Sequence, residues 1–190
     1  SCGVTIYNIN TKATIASSEI QATGDINVIV NDKHDVSIDA DCSSDKAVGA
    51  GVAVLIFEDT ALSQILNSVK ILSVQDLEVS ANSISNTILD VKSGGNGGMS
   101  IAPGVAVNIN LNDILAQCLA ATTATGDINV KAISKKTRKT TSASNLVDKG
   151  GIGATVSLVI NIDNNKALLG GKVSGREVHV QATSHHRSDA

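Results

Sequence analysis

The sequence predicts an all-β chain wound as a parallel β-solenoid, and three observations carry that prediction. The pentapeptide GDINV stands at 24–28 and again at 126–130, 102 positions apart. The apolar content is Val, Ile, Leu and Ala, with one Phe, one Tyr and no Trp in 190 residues. Short runs alternate apolar and polar residues at period two, the signature of strands.

The repeat comes first, because a hidden period decides the architecture. Halving the interval between the two pentapeptides leads to "DLEV" at 76–79, and one further step leads to "EVHV" at 177–180. "GDINVIVND", "QDLEVSANS", "GDINVKAIS" and "REVHVQATS" thus form one family: an acidic residue, an alternating apolar strand, then polar residues. A second family lies between them and opens on glycine: "GVTIYNINTKA", "GVAVLIFEDTA", "GVAVNINLNDI" and "GATVSLVINIDNNKA". Its members start near 3, 51, 104 and 153, so residues 1–190 read as one array of degenerate units of about fifty residues.

Composition selects among repeat architectures. β-branched residues favour strands, and 16 Gly with the single proline, Pro103, place turns between them. A β-propeller blade carries aromatic signatures that this chain lacks, whereas stacked aliphatic columns suit a solenoid. The expected unit is two coils of ~25 residues, each rising ~4.8 Å, giving seven or eight coils and a rod on the order of 35 Å.

Each strand then receives a facing. In the acid-led family Ile26, Val28 and Val30 share one face, as do Ile128 and Val130 two units later. In the glycine-led family Val105 and Val107 recur as Val156 and Leu158, and these aliphatic residues are expected to point inward in stacked columns. Asp25, Asp76, Asp127 and Glu177 recur once per unit and are expected to mark a structural turn. "LSQILNSVKIL" (62–72) and its counterparts "ILAQCLAATTA" and "LLGGKVSG" read as strands and turns, since Thr clusters and paired Gly are poor helix material. "SGGNGG" (93–98) and "DKGGIG" (148–153) read as joints needing positive φ.

Charge and hydropathy exclude some functions. A net charge of −3 argues against nucleic-acid binding, which draws on surplus Lys and Arg. The longest apolar run, "VGAGVAVLIF" (48–57), is too short for a transmembrane helix, which needs about twenty residues. Cys2, Cys42 and Cys118 make neither a disulfide framework nor a CxxC metal signature, and read as small core residues or incidental surface thiols.

Units that run "GDINV", then a Gly/Ala-rich joint, then "GVAVNIN…ND", resemble the degenerate repeats of very large bacterial surface proteins. These are the β-helical adhesins, autotransporter passengers and filamentous-haemagglutinin- or leukotoxin-like proteins. The resemblance spans the whole chain and implies an exported, elongated segment at the cell surface, engaged in adhesion to a host-cell or matrix receptor or glycan. It implies no catalytic residue and no cofactor; three cysteines depart from its usual scarcity of thiols. With no distinct cap at either end, the array is expected to be an excerpt of a longer one.

The polar motifs that could carry chemistry have simpler structural readings. His179, His185, His186 and Asp189 alternate in facing along one strand, which argues for exposed histidines and not a metal site. Asp32, His34 and Asp35 in "NDKHD" lack the spacing of a Ca²⁺ loop and read as a polar corner. "KKTRK" (135–139), the one basic run, reads as a solvated face. The Gly residues at 94, 95, 97 and 98 are followed by no GK[ST] and form no phosphate loop. A polysaccharide lyase or hydrolase needs a lined groove, and Tyr7 and Phe57 are too few to hold sugar rings. An ice-binding ladder would need the threonines of "TKAT" (11–14) and "ATTAT" (121–125) to continue through every unit, and they do not. The expected function is non-catalytic and structural or adhesive.

Overall fold

The computed structural model describes residues 2–44, 48–95, 101–146 and 151–190, and within them every regular element is a strand. The first turn of the chain comprises β1 (Cys2–Ile15), β2 (Glu19–Gln21) and β3 (Ile26–Ser44). The second comprises β4 (Gly51–Ile65), β5 (Lys70–Val74) and β6 (Leu77–Gly95), and the third β7 (Ile101–Cys118), β8 (Ala121–Ala124) and β9 (Ile128–Leu146). The fourth comprises β10 (Ile152–Leu169), β11 (Val173–Ser174) and β12 (Val178–Asp189). Equivalent strands pair in parallel into three four-stranded sheets, β1-β4-β7-β10, β2-β5-β8-β11 and β3-β6-β9-β12. This is a parallel β-solenoid.

The coil is twice as large as the repeat arithmetic suggested. Ile26 pairs with Leu77, and Leu77 with Ile128, so one whole unit makes one coil and the chain makes four coils, not seven or eight. From first coil to last the stack rises only about 14 Å. The physical reason is strand length. Polar residues after each aliphatic run do not end the strand; alternation continues through them for up to 19 residues.

Each coil is therefore a flattened loop. The two long sheets face one another, and the short sheet closes one edge. At that edge lies an aliphatic core of Ile65, Val69, Ile71, Val74, Leu77, Val79, Ile114, Ile128 and Val130. A smaller cluster of Ala53, Leu55, Leu89, Val91 and Ala106 fills the far side. The stretches at 62–72 and 114–124 are strands and turns as expected, with a turn from Leu66 to Val69 joining β4 to β5. Of the glycine-rich joints, Ser93–Gly95 still belong to β6, while 96–98 and 148–150 lie outside the described residues. No described helix is long and apolar enough to cross a membrane.

The acid-led strands face as expected: Val28, Val30, Ile128 and Val130 are buried, with Ile26 packed against them. The glycine-led strands face the other way. Val105 pairs with Val156 and Val107 with Leu158 in the expected columns, but these columns lie on the outside, with Val156 58% and Leu158 45% exposed. Gly104, Ala106, Asn108 and Asn110 point inward instead. Gly104 faces Ser93 and Ser142, Ala106 joins the small aliphatic cluster, and Asn108 and Asn110 bond to Thr87 and to each other.

Candidate functional site

Between the two aliphatic clusters the solenoid has an ionised interior. Inward positions of β9 run Val130, Ala132, Ser134, Lys136, Arg138, Thr140, so the basic run is no solvated face: Lys136 is 1% exposed and Arg138 0%. Lys135, Thr137 and Lys139 take the outward positions of the same strand. Strand periodicity overrides the usual preference of charge for water.

Each buried cation has partners from another strand. Lys136 Nζ donates to Asp59 Oδ2 at 2.6 Å and contacts Ser83 Oγ at 2.5 Å, while Ser83 Oγ also donates to Asp59. Arg138 donates to the Ser85 carbonyl at 2.9 Å and to Ser85 Oγ at 3.0 Å, with its guanidinium 5.8 Å from the centre of the Phe57 ring. Beside it, Thr87, Asn108 and Asn110 bond to one another. Burial raises the Asp59 carboxyl, but the Lys136 charge and the hydrogen bonds from Lys136 and Ser83 prevail and hold it below its ordinary value. Burial pulls Lys136 down, partly offset by Asp59, and brings Arg138 down to about 10, so Arg138 is charged at neutral pH.

The "NDKHD" cluster is not a corner either. Asp32 and His34 lie within β3 and face inward, toward Asp59, while Asp35 is exposed. Thr11 donates to Asp32 Oδ2 at 3.0 Å. His34 Nε2 lies against Asp32 Oδ1 without the alignment of a hydrogen bond, and its ring is tilted against Phe57, centres 6.0 Å apart.

In the last coil Asp163, Ser184 and His186 also meet. Ser184 Oγ donates to Asp163 Oδ2 at 2.6 Å, and His186 Nε2 lies 2.9 Å from that same oxygen and 2.6 Å from the hydroxyl. One ring nitrogen meets both partners, so there is no relay from serine through imidazole to carboxylate. His185 is exposed, and His179 contacts Glu177 at 3.0 Å on the surface. Cys42 and Cys118 are buried and Cys2 is exposed; burial raises the Cys118 thiol.

The recurring acids form a ladder along the stack. Asp25 Oδ1 accepts the Asp76 N–H at 3.2 Å, and Asp76 Oδ1 accepts the Asp127 N–H at 2.7 Å. Asp127 in turn is clamped by Arg176 at 3.0 Å, and Arg176, together with the Glu177 N–H, lowers its carboxyl despite slight desolvation. Each of the three aspartates thus receives a backbone donor of the following coil, which is why the acid returns at this step.

On the outside of β1-β4-β7-β10 the aliphatic columns are continuous. Val4, Val54, Val107 and Leu158 are in register, as are Ile6, Ile56, Ile109 and Ile160. A third column runs Cys2, Val52, Val105, Val156. Val4 is 61% and Ile6 64% exposed. The outer face of β9, by contrast, carries Asn129, Lys131, Lys135 and Lys139. Sequence reasoning missed Asp59, Lys136 and Arg138; carrying the alternation from Val130 onward would have placed both cations inside.

Fold and site together define a parallel β-solenoid with an ionised interior and one aliphatic outer face. No protein-family model matches the chain, and comparisons with curated proteins and with solved structures give no match.

Proposed function

We propose that the chain is a non-catalytic structural and adhesive segment of an exported bacterial surface protein, and that the aliphatic outer face of β1-β4-β7-β10 is its contact surface. The single observation that supports this is the set of three columns from Cys2–Val156 to Ile6–Ile160. Four strands of ~4.8 Å spacing and about six residues of ~3.3 Å rise give a flat apolar face of roughly 400 Å². Patches of a few hundred Å² on a soluble protein mark interaction sites. A face without aromatic rings suits a protein receptor of host cell or matrix better than a glycan. The exported setting is what the resemblance of the repeats implies.

A lyase or hydrolase is less well supported, because the carboxylates that converge, Asp32 and Asp59, are 7% and 1% exposed and lie between the sheets. The test is binding of the purified chain to cells, matrix proteins and a glycan panel. Saturable binding lost in the triple variant Val107→Ser, Val156→Ser, Leu158→Ser is the expected result. Binding that ignores this change, or no binding at all, would overturn the assignment of the face.

A further inference from the structure

We propose that Asp32, His34 and Asp59 bind a single first-row divalent cation, with Zn²⁺ as the probe, between the two long sheets. A ring nitrogen of His34 and one carboxylate oxygen from each aspartate lie within 4.8 Å of one another. The hydrogen bonds around them divide the donor atoms in two groups. Asp32 Oδ2 is taken by Thr11, and Asp59 Oδ2 by Lys136 and Ser83. Asp59 Oδ1 and His34 Nε2 have no hydrogen-bond partner although buried, and Asp32 Oδ1 faces the imidazole. Carboxylates that bind metal through one oxygen are held in this way by outer partners on the other.

A further unpartnered amide stands one coil beyond Asp59. Asn112 pairs in register with Asp59 in the inward column, is 4% exposed, and has neither amide atom hydrogen-bonded. An unpartnered buried amide is unfavourable. A cation between Asp32, His34 and Asp59 gives the orphaned Asp59 Oδ1 a partner and replaces the His34–Asp32 contact with a shared ligand.

Ligand chemistry sets the class of ion. An imidazole disfavours Ca²⁺ and Mg²⁺, which take oxygen donors, and without a thiolate the set suits Zn²⁺, Mn²⁺ or Co²⁺. Charge allows it: among the described residues the carboxylates Asp32, Asp59 and Asp163 outnumber the buried cations Lys136 and Arg138. His34 keeps 21% of its side chain exposed, which gives the ion an approach.

The test is calorimetric titration of the purified chain with ZnCl₂, in a Cys2→Ser background to remove the exposed thiol, with Co²⁺ absorption as a second readout. One ion per chain is expected, with affinity reduced at least tenfold in His34→Gln and in Asp32→Asn. His186→Gln, which alters the other histidine–aspartate contact, is expected to bind as the parent does. Absence of stoichiometric binding, or affinity lost in His186→Gln and kept in His34→Gln, would overturn the proposal. Both His34→Gln and Asp32→Asn leave the Lys136–Asp59 pair intact, and circular dichroism on each confirms the fold.

Discussion

Lys136 Nζ reaches Asp59 Oδ2 across the interior at 2.6 Å, joining two strands of opposite sheets and of successive coils. Each charge depends on the other, because neither side chain is exposed. Removing one partner leaves the other charge buried without its counter-ion. Lys136→Met is expected to cost about 3–5 kcal/mol in urea denaturation, and the double variant Lys136→Met, Asp59→Leu to recover part of that loss. Equal stability of single and double variants would show that the pair is not coupled.

Acid should weaken the fold through the same carboxylate. The folded Asp59 pKa lies below its ordinary 3.8, so its contribution is complete above that value and disappears as pH falls through the folded pKa. Lys136 is also depressed, from 10.5, so the unfolded chain binds more protons in that alkaline window and stability rises with pH there as well. The urea midpoint is therefore expected to drop on acidification below about pH 4, and to drop less steeply in Asp59→Asn.

Facing on the glycine-led strands is testable with adjacent residues. Val107→Asp puts a carboxylate on the outer face and is expected to cost less than about 1 kcal/mol. Ala106→Asp puts it among Leu55, Leu89 and Val91 and is expected to cost more than about 3 kcal/mol or to prevent folding. Thermal unfolding of the two variants decides between the facings, since the reverse order of stability requires Val107 to be inside.

The acid ladder makes its own prediction. A Cβ at Gly126 would sit 2.0 Å from Asp76 Oδ1 and 2.8 Å from the Gln75 carbonyl, whereas a Cβ at Gly24 meets nothing within 4 Å. Gly126→Ala is therefore expected to lower the melting temperature by several degrees and Gly24→Ala to leave it nearly unchanged. Two copies of one pentapeptide would then differ in what their glycines do.

Much of this architecture was legible in the residues. The period, the parallel pairing and the inward set Val28, Val30, Ile128, Val130 follow from spacing and alternation. Coil size was not legible, because Asn, Asp and Lys after an aliphatic run look like the end of a strand when they are its inward continuation. The facing of Val105 and Val107 was obscured for a related reason. Hydrophobicity assigns valine to the core, yet the inward positions beside it go to Gly104, Ala106 and Asn108, whose surroundings, Ser93, Ser142, Leu89, Val91 and Thr87, come from other strands. Asp59 gave no local signal; only the pairing of coils brings it to Lys136.

The pairing steps themselves have a consequence for how such a chain changes length. On the long sheet of acid-led strands the step is 51, 51 and then 50 residues, while on the glycine-led sheet it runs 50, 53 and 51. Both connections vary: from Cys2, Val52, Val105 and Val156 to Ile26, Leu77, Ile128 and Val178 the spacing is 24, 25, 23 and 22 residues, and from each acid-led position to the next glycine-led one it is 26, 28 and 28. Small insertions can accumulate in these connections without moving any column. Elsewhere a single added residue reverses every side chain downstream within its strand. Gain or loss of a whole unit, by contrast, keeps all columns aligned, so unequal recombination between repeats can lengthen or shorten the protein while leaving each surviving coil as it was.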